Sequence, residues 1–284
     1  MKGLDEVGVI GAGMMGGEIA LCFAMYGYDV IMKETDYKLA QKGKDRLGRA
    51  LDKAIQKGKI QTEDKAPVLN RIKPTDQYES LKGVDLMVEA VFEDLETKKE
   101  VFSQLDGLCK PDCIFATNTS SIPITLLATS VGKERVGQFL GSHFFSPASV
   151  MRLVEVIPGL ETEEGTINFI MDCCKKIGKV PIRVKDVTGF AVNRILHSMW
   201  IEANRLVEEG VATPEDIDTA CRLGLGHPIG PYALMDLTSN DLNLSVQQIL
   251  YQTYGERFRP RPILKQKVNA NHLGRKTGRG WYVY

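Results

Sequence analysis

The stretch Gly11-Ala12-Gly13-Met14-Met15-Gly16 constrains this chain more than any other, because of what stands on either side of it. Before it lies the short apolar run Val7-Gly8-Val9-Ile10, and after it Ile19, Ala20, Phe23 and Ala24 recur at helical spacing as far as Gly27. That order predicts strand, glycine turn and helix. In such a turn the glycines have separate tasks: a tight turn at Gly11, close approach of backbone to a pyrophosphate at Gly13, and close packing of helix on strand at Gly16. The N-H groups at the start of the helix, around Met14 and Met15, then face the phosphates.

Glycine turns are common, so the motif alone is weak evidence. Its second half strengthens it: Asp29 to Lys33 reads as the next strand and ends at Glu34, twenty-three residues after Gly11. A carboxylate there can accept from both ribose hydroxyls of an adenosine, and its charge repels a 2'-phosphate, which favours NAD over NADP. Lys33 beside it weakens that preference, and an ordinary acid at a strand end is the competing reading.

The rest of the chain extends the pattern. A long helix is expected from Tyr37 to Gly58, with Leu47, Leu51 and Ile55 on its apolar face. Lys42, Arg46, Arg49, Lys53 and Lys57 fall along one stripe of it. That stripe is either a solvated face or a landing site for an anionic ligand handle such as the phosphates of coenzyme A. Val84 to Val91 is a buried-looking strand, followed by Glu93 and Lys98 at the end where a doubly wound sheet binds ligands. The strand Cys113 to Thr117 leads into Asn118-Thr119-Ser120-Ser121, small polar residues that can reach a ligand or cap the next helix.

Gly137 to Phe145 makes a further strand that carries His143, and Leu153 to Ile157 a short one carrying Glu155, twelve positions on. An imidazole changes charge near neutral pH, so one that is partly desolvated and close to a carboxylate is suited to moving protons. The alternative is a core histidine satisfied by backbone. A helix near Glu163 to Lys176 and a strand from Val180 to Val184 complete the alternation. Strand signals then stop, and nearly everything afterwards reads as helix. We therefore expect an α/β fold: a Rossmann-like, doubly wound and mostly parallel sheet in residues 1–185, and an all-α domain in residues 186–284. In the second part Val192, Ile195, Leu196, Met199, Ala203, Leu206 and Val207 trace one helical face, and Thr213-Pro214-Glu215-Asp216 starts a further helix.

Composition excludes several classes. Thirty-six basic and thirty-six acidic residues cancel, so nothing global argues for nucleic acid or an anionic membrane as partner. The basic stripe has no interleaved aromatic residues to stack bases. The glycines interrupt the first apolar run, so neither a signal peptide nor a membrane span fits, and a soluble cytoplasmic protein is expected. The six cysteines form no CxxC pair and no zinc-like spacing with histidines, so reduced thiols and no metal are expected.

These motifs, in this order, are the ground for a resemblance. GAGMMG, Asn118-Thr119-Ser120-Ser121, His143-Phe144-Phe145, Val154-Glu155, Gly189-Phe190-Ala191-Val192-Asn193-Arg194, His227-Pro228-Ile229-Gly230-Pro231 and the final GRKTGRGWY resemble those of the L-3-hydroxyacyl-CoA dehydrogenases, most of all the short-chain 3-hydroxybutyryl-CoA members. The resemblance implies an NAD-dependent enzyme, usually dimeric, that oxidises (S)-3-hydroxyacyl-CoA reversibly to 3-ketoacyl-CoA such as acetoacetyl-CoA. It implies His143 as general acid/base, Glu155 as its partner, and Ser120 and Asn193 at the reacting end of the substrate. It implies Glu34 at the adenosine ribose, Glu93, Lys98 and Asn118 further along the cofactor, and Lys53 and Lys57 on coenzyme A. The chain departs from the pattern at Ser146, where many members have Asn, which touches contacts near the nicotinamide or acyl group. It departs again at Gly17 and Glu18, where a small residue and glycine are usual. The rival readings are a dehydrogenase of a hydroxy acid without coenzyme A, and a non-catalytic dinucleotide-binding protein.

Overall fold

The computed structural model describes residues 3–284 and divides into two compact units, Met1–Asp186 and Val187–Tyr284. The first unit contains β1 (Glu6–Ile10), α1 (Met14–Met25), β2 (Asp29–Lys33), α2 (Tyr37–Gln56), α3 (Lys65–Arg71), β3 (Ile72–Thr75), β4 (Leu86–Glu89), α4 (Leu95–Asp106), β5 (Ile114–Thr117), α5 (Ile124–Ala128), β6 (Phe139–Phe144), β7 (Leu153–Pro158), α6 (Glu164–Lys176) and β8 (Val180–Arg183). One eight-stranded sheet runs β3-β2-β1-β4-β5-β6-β7-β8. Helices cover its faces, which is why the inner strands β4 and β5 are buried at every position and read as continuous apolar runs rather than alternating ones.

The order of strands reverses between β1 and β4, and the carboxyl ends of these two strands flank the crevice where a doubly wound sheet takes its ligand. Six strands are parallel; β7 then turns back antiparallel to β6, and β8 follows β7. The sequence predicts no strand at residues 72–75, where Pro74 removes a backbone donor. The structure puts β3 on the edge of the sheet, the position in which a strand tolerates proline.

Several buried polar residues hold this unit together. Arg135 donates to Asp106 and to the carbonyls of Lys110 and Cys113, so the turn before β5 wraps around its guanidinium. The small polar residues after β5 do not cap α5. Asp186 does, accepting from Ile124 N at 2.9 Å and Thr125 N at 2.8 Å.

The second unit contains α7 (Val192–Glu208), α8 (Pro214–Gly224), α9 (Pro231–Thr238), α10 (Asn240–Tyr254) and α11 (Pro262–Asn269). Thr213 caps α8 by accepting from Asp216 N, with Pro214 at the first helical position. The buried face of α7 is His197, Trp200, Ile201, Ala203 and Asn204. Leu196, Met199, Leu206 and Val207 of the expected face pack against the cluster around Trp200 and Ala203, whereas Ile195 is 72% exposed. The aromatic terminus belongs to the core: Trp281 packs on Tyr232 with ring centroids 4.5 Å apart, and the buried Asp236 accepts from the N-H groups of Trp281 and Tyr282. All six cysteines are free thiols.

Candidate active site

The glycine turn has the geometry its sequence calls for. Gly11 sits at φ +96°, in the left-handed region that disfavours side chains, and a methyl group there would come within 2.7 Å of the Ala90 carbonyl. A methyl group at Gly16 would stand 1.8 Å from the Gly11 carbonyl oxygen, so α1 could not lie this close to the turn with any other residue. At Gly13 such a group would meet nothing within 4 Å, which leaves that backbone open to a ligand. Among the described residues no side chain caps α1, and no acid stands in its first turn.

Glu34 follows β2 and closes over the turn, accepting from Ala12 N at 2.9 Å with one oxygen and from Thr35 N at 2.8 Å with the other. Oε1 also accepts from Thr35 Oγ1 at 3.2 Å, so Oε2 is the oxygen with a further lone pair for a ribose hydroxyl. An anion-seeking helix start beside a diol-seeking carboxylate fits a dinucleotide. Lys33, which pulled the other way in the sequence, lies with its ammonium 3.7 Å from the centre of the Tyr78 ring and is 6% exposed. Burial lowers its pKa, and its engagement with the ring removes the objection to NAD.

Arg46 does not belong to the exposed basic stripe. Its guanidinium turns inward and donates to the carbonyls of Ala12 at 2.9 Å and Gly13 at 2.6 Å, clamping the glycine turn from α2. A methyl group at Gly17 would stand 3.2 Å from that guanidinium, a tight contact against the clamp. Lys42, Arg49, Lys53 and Lys57 remain exposed.

At the ends of β4 and β5 lies a network centred on two carboxylates. Glu93 accepts from Thr119 Oγ1 at 2.6 Å, from Ser120 N at 2.9 Å and Ser121 N at 2.8 Å, and from both serine hydroxyls. Burial opposes ionisation of Glu93, but the Lys98 ammonium and these donors outweigh it and hold its carboxyl below the usual range. Lys98, 1% exposed, lies 3.5 Å from Glu93 and 2.7 Å from the fully buried Glu89. Glu89 also accepts from Thr117 Oγ1 and Val91 N, both at 2.7 Å. Glu89 was missed in the sequence; its signal was an acid inside a strand otherwise apolar on both faces.

Asn118 Oδ1 accepts from Phe144 N at 2.8 Å and so ties the end of β5 to the end of β6. There His143 stands directly opposite Glu155 in the antiparallel register of β6 and β7. Cross-strand partners project to the same face, and His143 Nδ1 lies 2.8 Å from Glu155 Oε2. His143 is 7% exposed and Glu155 is fully buried. With Glu155 ionised its carboxylate only accepts, so this contact puts the proton on Nδ1. The Phe145 ring packs 4.6 Å from the imidazole. Ser146 is exposed, with its hydroxyl 3.9 Å from Met14 Sδ at the start of α1. Asn193 belongs to the second unit, in the first turn of α7.

A dinucleotide turn with a carboxylate beside it and a buried imidazole-carboxylate pair on β6 and β7 fit a dehydrogenase, an enzyme that moves a proton alongside a hydride. The comparisons with known proteins narrow that class. Residues 6–187 match the 3-hydroxyacyl-CoA dehydrogenase NAD binding domain, and residues 189–284 match the 3-hydroxyacyl-CoA dehydrogenase C-terminal domain. The chain therefore belongs to the 3-hydroxyacyl-CoA dehydrogenase family and uses NAD. A 3-hydroxybutyryl-CoA dehydrogenase of Clostridioides difficile is 43% identical over 280 residues, covering 98% of this chain and 99% of that one. The mitochondrial hydroxyacyl-coenzyme A dehydrogenase of Sus scrofa is 38% identical over 290 residues, covering 99% and 91%. The crystal structure of (S)-3-hydroxybutyryl-CoA dehydrogenase from Ralstonia eutropha superposes with a TM-score of 0.95 at 42% identity, covering 99% of both chains.

Proposed function

We propose that the chain catalyses the reversible oxidation of a short (S)-3-hydroxyacyl-CoA, 3-hydroxybutyryl-CoA foremost, to the 3-ketoacyl-CoA. The observation that carries this reading is the buried pair of His143 and Glu155, 2.8 Å apart at the ligand edge of the sheet. His143 Nε2 takes the proton of the C3 hydroxyl, and Glu155 stabilises the imidazolium so formed through Nδ1. The nicotinamide of NAD, when bound, supplies the hydride acceptor. Ser120 meets developing charge on the C3 oxygen by turning towards it the single hydroxyl proton that otherwise goes to Glu93 across 3.3 Å. Asn193 orients the thioester carbonyl, on the strength of its motif. General acid-base catalysis contributes roughly two to four orders of magnitude, and positioning and electrostatics the rest.

On the cofactor, the backbone of Gly11, Gly13, Met14, Met15 and Gly16 faces the pyrophosphate and Glu34 the adenosine ribose. Glu93 and Asn118 lie further along, with Lys98 acting through Glu93. Lys53 and Lys57 meet the phosphates of coenzyme A, and Ser146 stands near the acyl group. The chain works as a soluble cytoplasmic homodimer, the exposed apolar residues Leu223, Leu225 and Leu237 of the helical unit being the surface that favours self-association.

The test is spectrophotometric. Purified protein mixed with acetoacetyl-CoA should consume NADH far faster than NADPH, and His143→Ala should abolish most of that consumption. Turnover by His143→Ala within a few-fold of the parent would remove the acid/base assignment. Reversing charge at Lys53 and Lys57 should raise KM for acetoacetyl-CoA and leave a truncated acetoacetyl thioester untouched; an unchanged KM would favour a substrate without coenzyme A.

A further inference from the structure

The helix that begins at the dinucleotide turn also grips the link between the two strands that carry His143 and Glu155. Met14, Glu18 and Cys22 are spaced by four residues and share one face of α1. Ser146 Oγ lies 3.9 Å from Met14 Sδ, Ser149 N donates to Glu18 Oε2 at 3.0 Å, and Cys22 Sγ donates to the Ala148 carbonyl at 3.3 Å. Lys179, between α6 and β8 and 9% exposed, donates to the Ala148 carbonyl at 2.5 Å and the Met151 carbonyl at 3.0 Å. Burial pushes the Cys22 thiol up to about 11, so it stays protonated and remains a donor. Residues 146–149 are thus fastened to α1, and Ala148 and Met151 to Lys179, by side chains whose type the dinucleotide fingerprint does not demand.

We infer that Glu18 and Lys179 are positioning residues for proton transfer, fixing the β6–β7 link and with it the His143 imidazole relative to the cofactor-binding end of α1. Proton and hydride leave neighbouring atoms of one substrate, so the acceptor of each must be placed with respect to the other. His143 reaches its place along β6, and the cofactor end of the unit is α1. Between the two, the grip on residues 146–151 is a short connection made of hydrogen bonds. A shift of about 1 Å in such a relation can cost on the order of a hundredfold in rate. The inference rests on the dehydrogenase reading above. It also gives the departure from the family pattern at Glu18 a purpose: a carboxylate there accepts from Ser149 N, which glycine could not do.

The test compares the parent with Glu18→Ala, Glu18→Gln, Lys179→Met and Lys179→Arg, measuring kcat, KM for acetoacetyl-CoA, and the NADH dissociation constant by fluorescence. Glu18→Ala should lose roughly ten- to a hundredfold in kcat while NADH binding changes by less than about twofold. Glu18→Gln, which keeps an oxygen to accept from Ser149 N, should recover most of that loss, and Lys179→Arg should recover part of what Lys179→Met loses. If Lys179→Met does not fold, the Glu18 pair decides alone. Glu18→Ala within twofold of the parent in kcat overturns the inference. So does an equal fall in Glu18→Ala and Glu18→Gln, or a loss of NADH affinity in step with kcat, which would mark a collapse of α1 rather than a misplaced histidine. An inactive parent overturns the dehydrogenase reading and this inference together, whereas an active parent with unaffected variants sinks this inference only.

Discussion

Replacing Glu155 by Gln removes a charge and almost no volume from the centre of the site. Glu155 is fully buried and its Oε2 lies 2.8 Å from His143 Nδ1, so in the parent enzyme the imidazolium that forms on proton abstraction stands beside a carboxylate. Two unit charges about 4 Å apart at an effective dielectric of about 20 attract by roughly 4 kcal/mol. A glutamine that presents its carbonyl to Nδ1 keeps a neutral hydrogen bond, worth about 1 kcal/mol. The difference, about 3 kcal/mol, corresponds to roughly a hundredfold in kcat. A glutamine that presents its amide nitrogen would force the other tautomer and cost more. The assay is steady-state oxidation of 3-hydroxybutyryl-CoA followed by NADH appearance, with KM and thermal stability measured alongside. The expected result is a kcat lower by about two orders of magnitude, with KM within a few-fold and the midpoint of unfolding close to the parent's. A kcat within threefold of the parent would refute the assignment of Glu155 as the group that stabilises the imidazolium.

Lys98→Met should cost about 3–5 kcal/mol in urea unfolding, because it leaves Glu89 charged and buried. Lys65→Met breaks the more exposed pair with Asp52 and should cost under about 1 kcal/mol, so equal losses would contradict this account. Burial lowers the pKa of His197 from 6.5 to about 4. The unfolded chain therefore binds a proton below pH 6.5 that the folded one refuses until about pH 4. Stability present above that window is lost as pH falls through it, by up to about 3 kcal/mol. Urea midpoints at neutral and mildly acidic pH check this: His197→Phe should flatten the acid loss, and an unchanged acid loss would place its source elsewhere.

The order of elements was legible because it is written in local signals. Alternating apolar runs and helical stripes gave the sheet-forming half, Pro214 after Thr213 gave a helix start, and the end of strand signals separated two parts. The strand at residues 72–75 was not legible, since Pro74 argues against a strand unless the strand is known to lie on an edge. Ile195 was misplaced for a related reason: apolar spacing marks a stripe but not its limit, and Ile195 falls outside the part that packs around Trp200 and Ala203.

In the site the division follows the reach of each interaction. Gly11, Gly13 and Gly16 answer to backbone demands within a few residues, and Glu34 follows from the strand next to them, so the sequence by itself determined the dinucleotide turn and its NAD preference. His143 and Glu155 could be named from their motifs. Only the tertiary structure decided that β7 returns antiparallel to β6 in the register that sets these two side chains 2.8 Å apart. It alone turned Arg46 out of the basic stripe onto the glycine turn, set Lys98 against Glu89, and closed Glu18 and Lys179 on the β6–β7 link. Each of these depends on which distant segments lie side by side. That is settled by the packing of the whole sheet and its helices, and no short window of residues contains it.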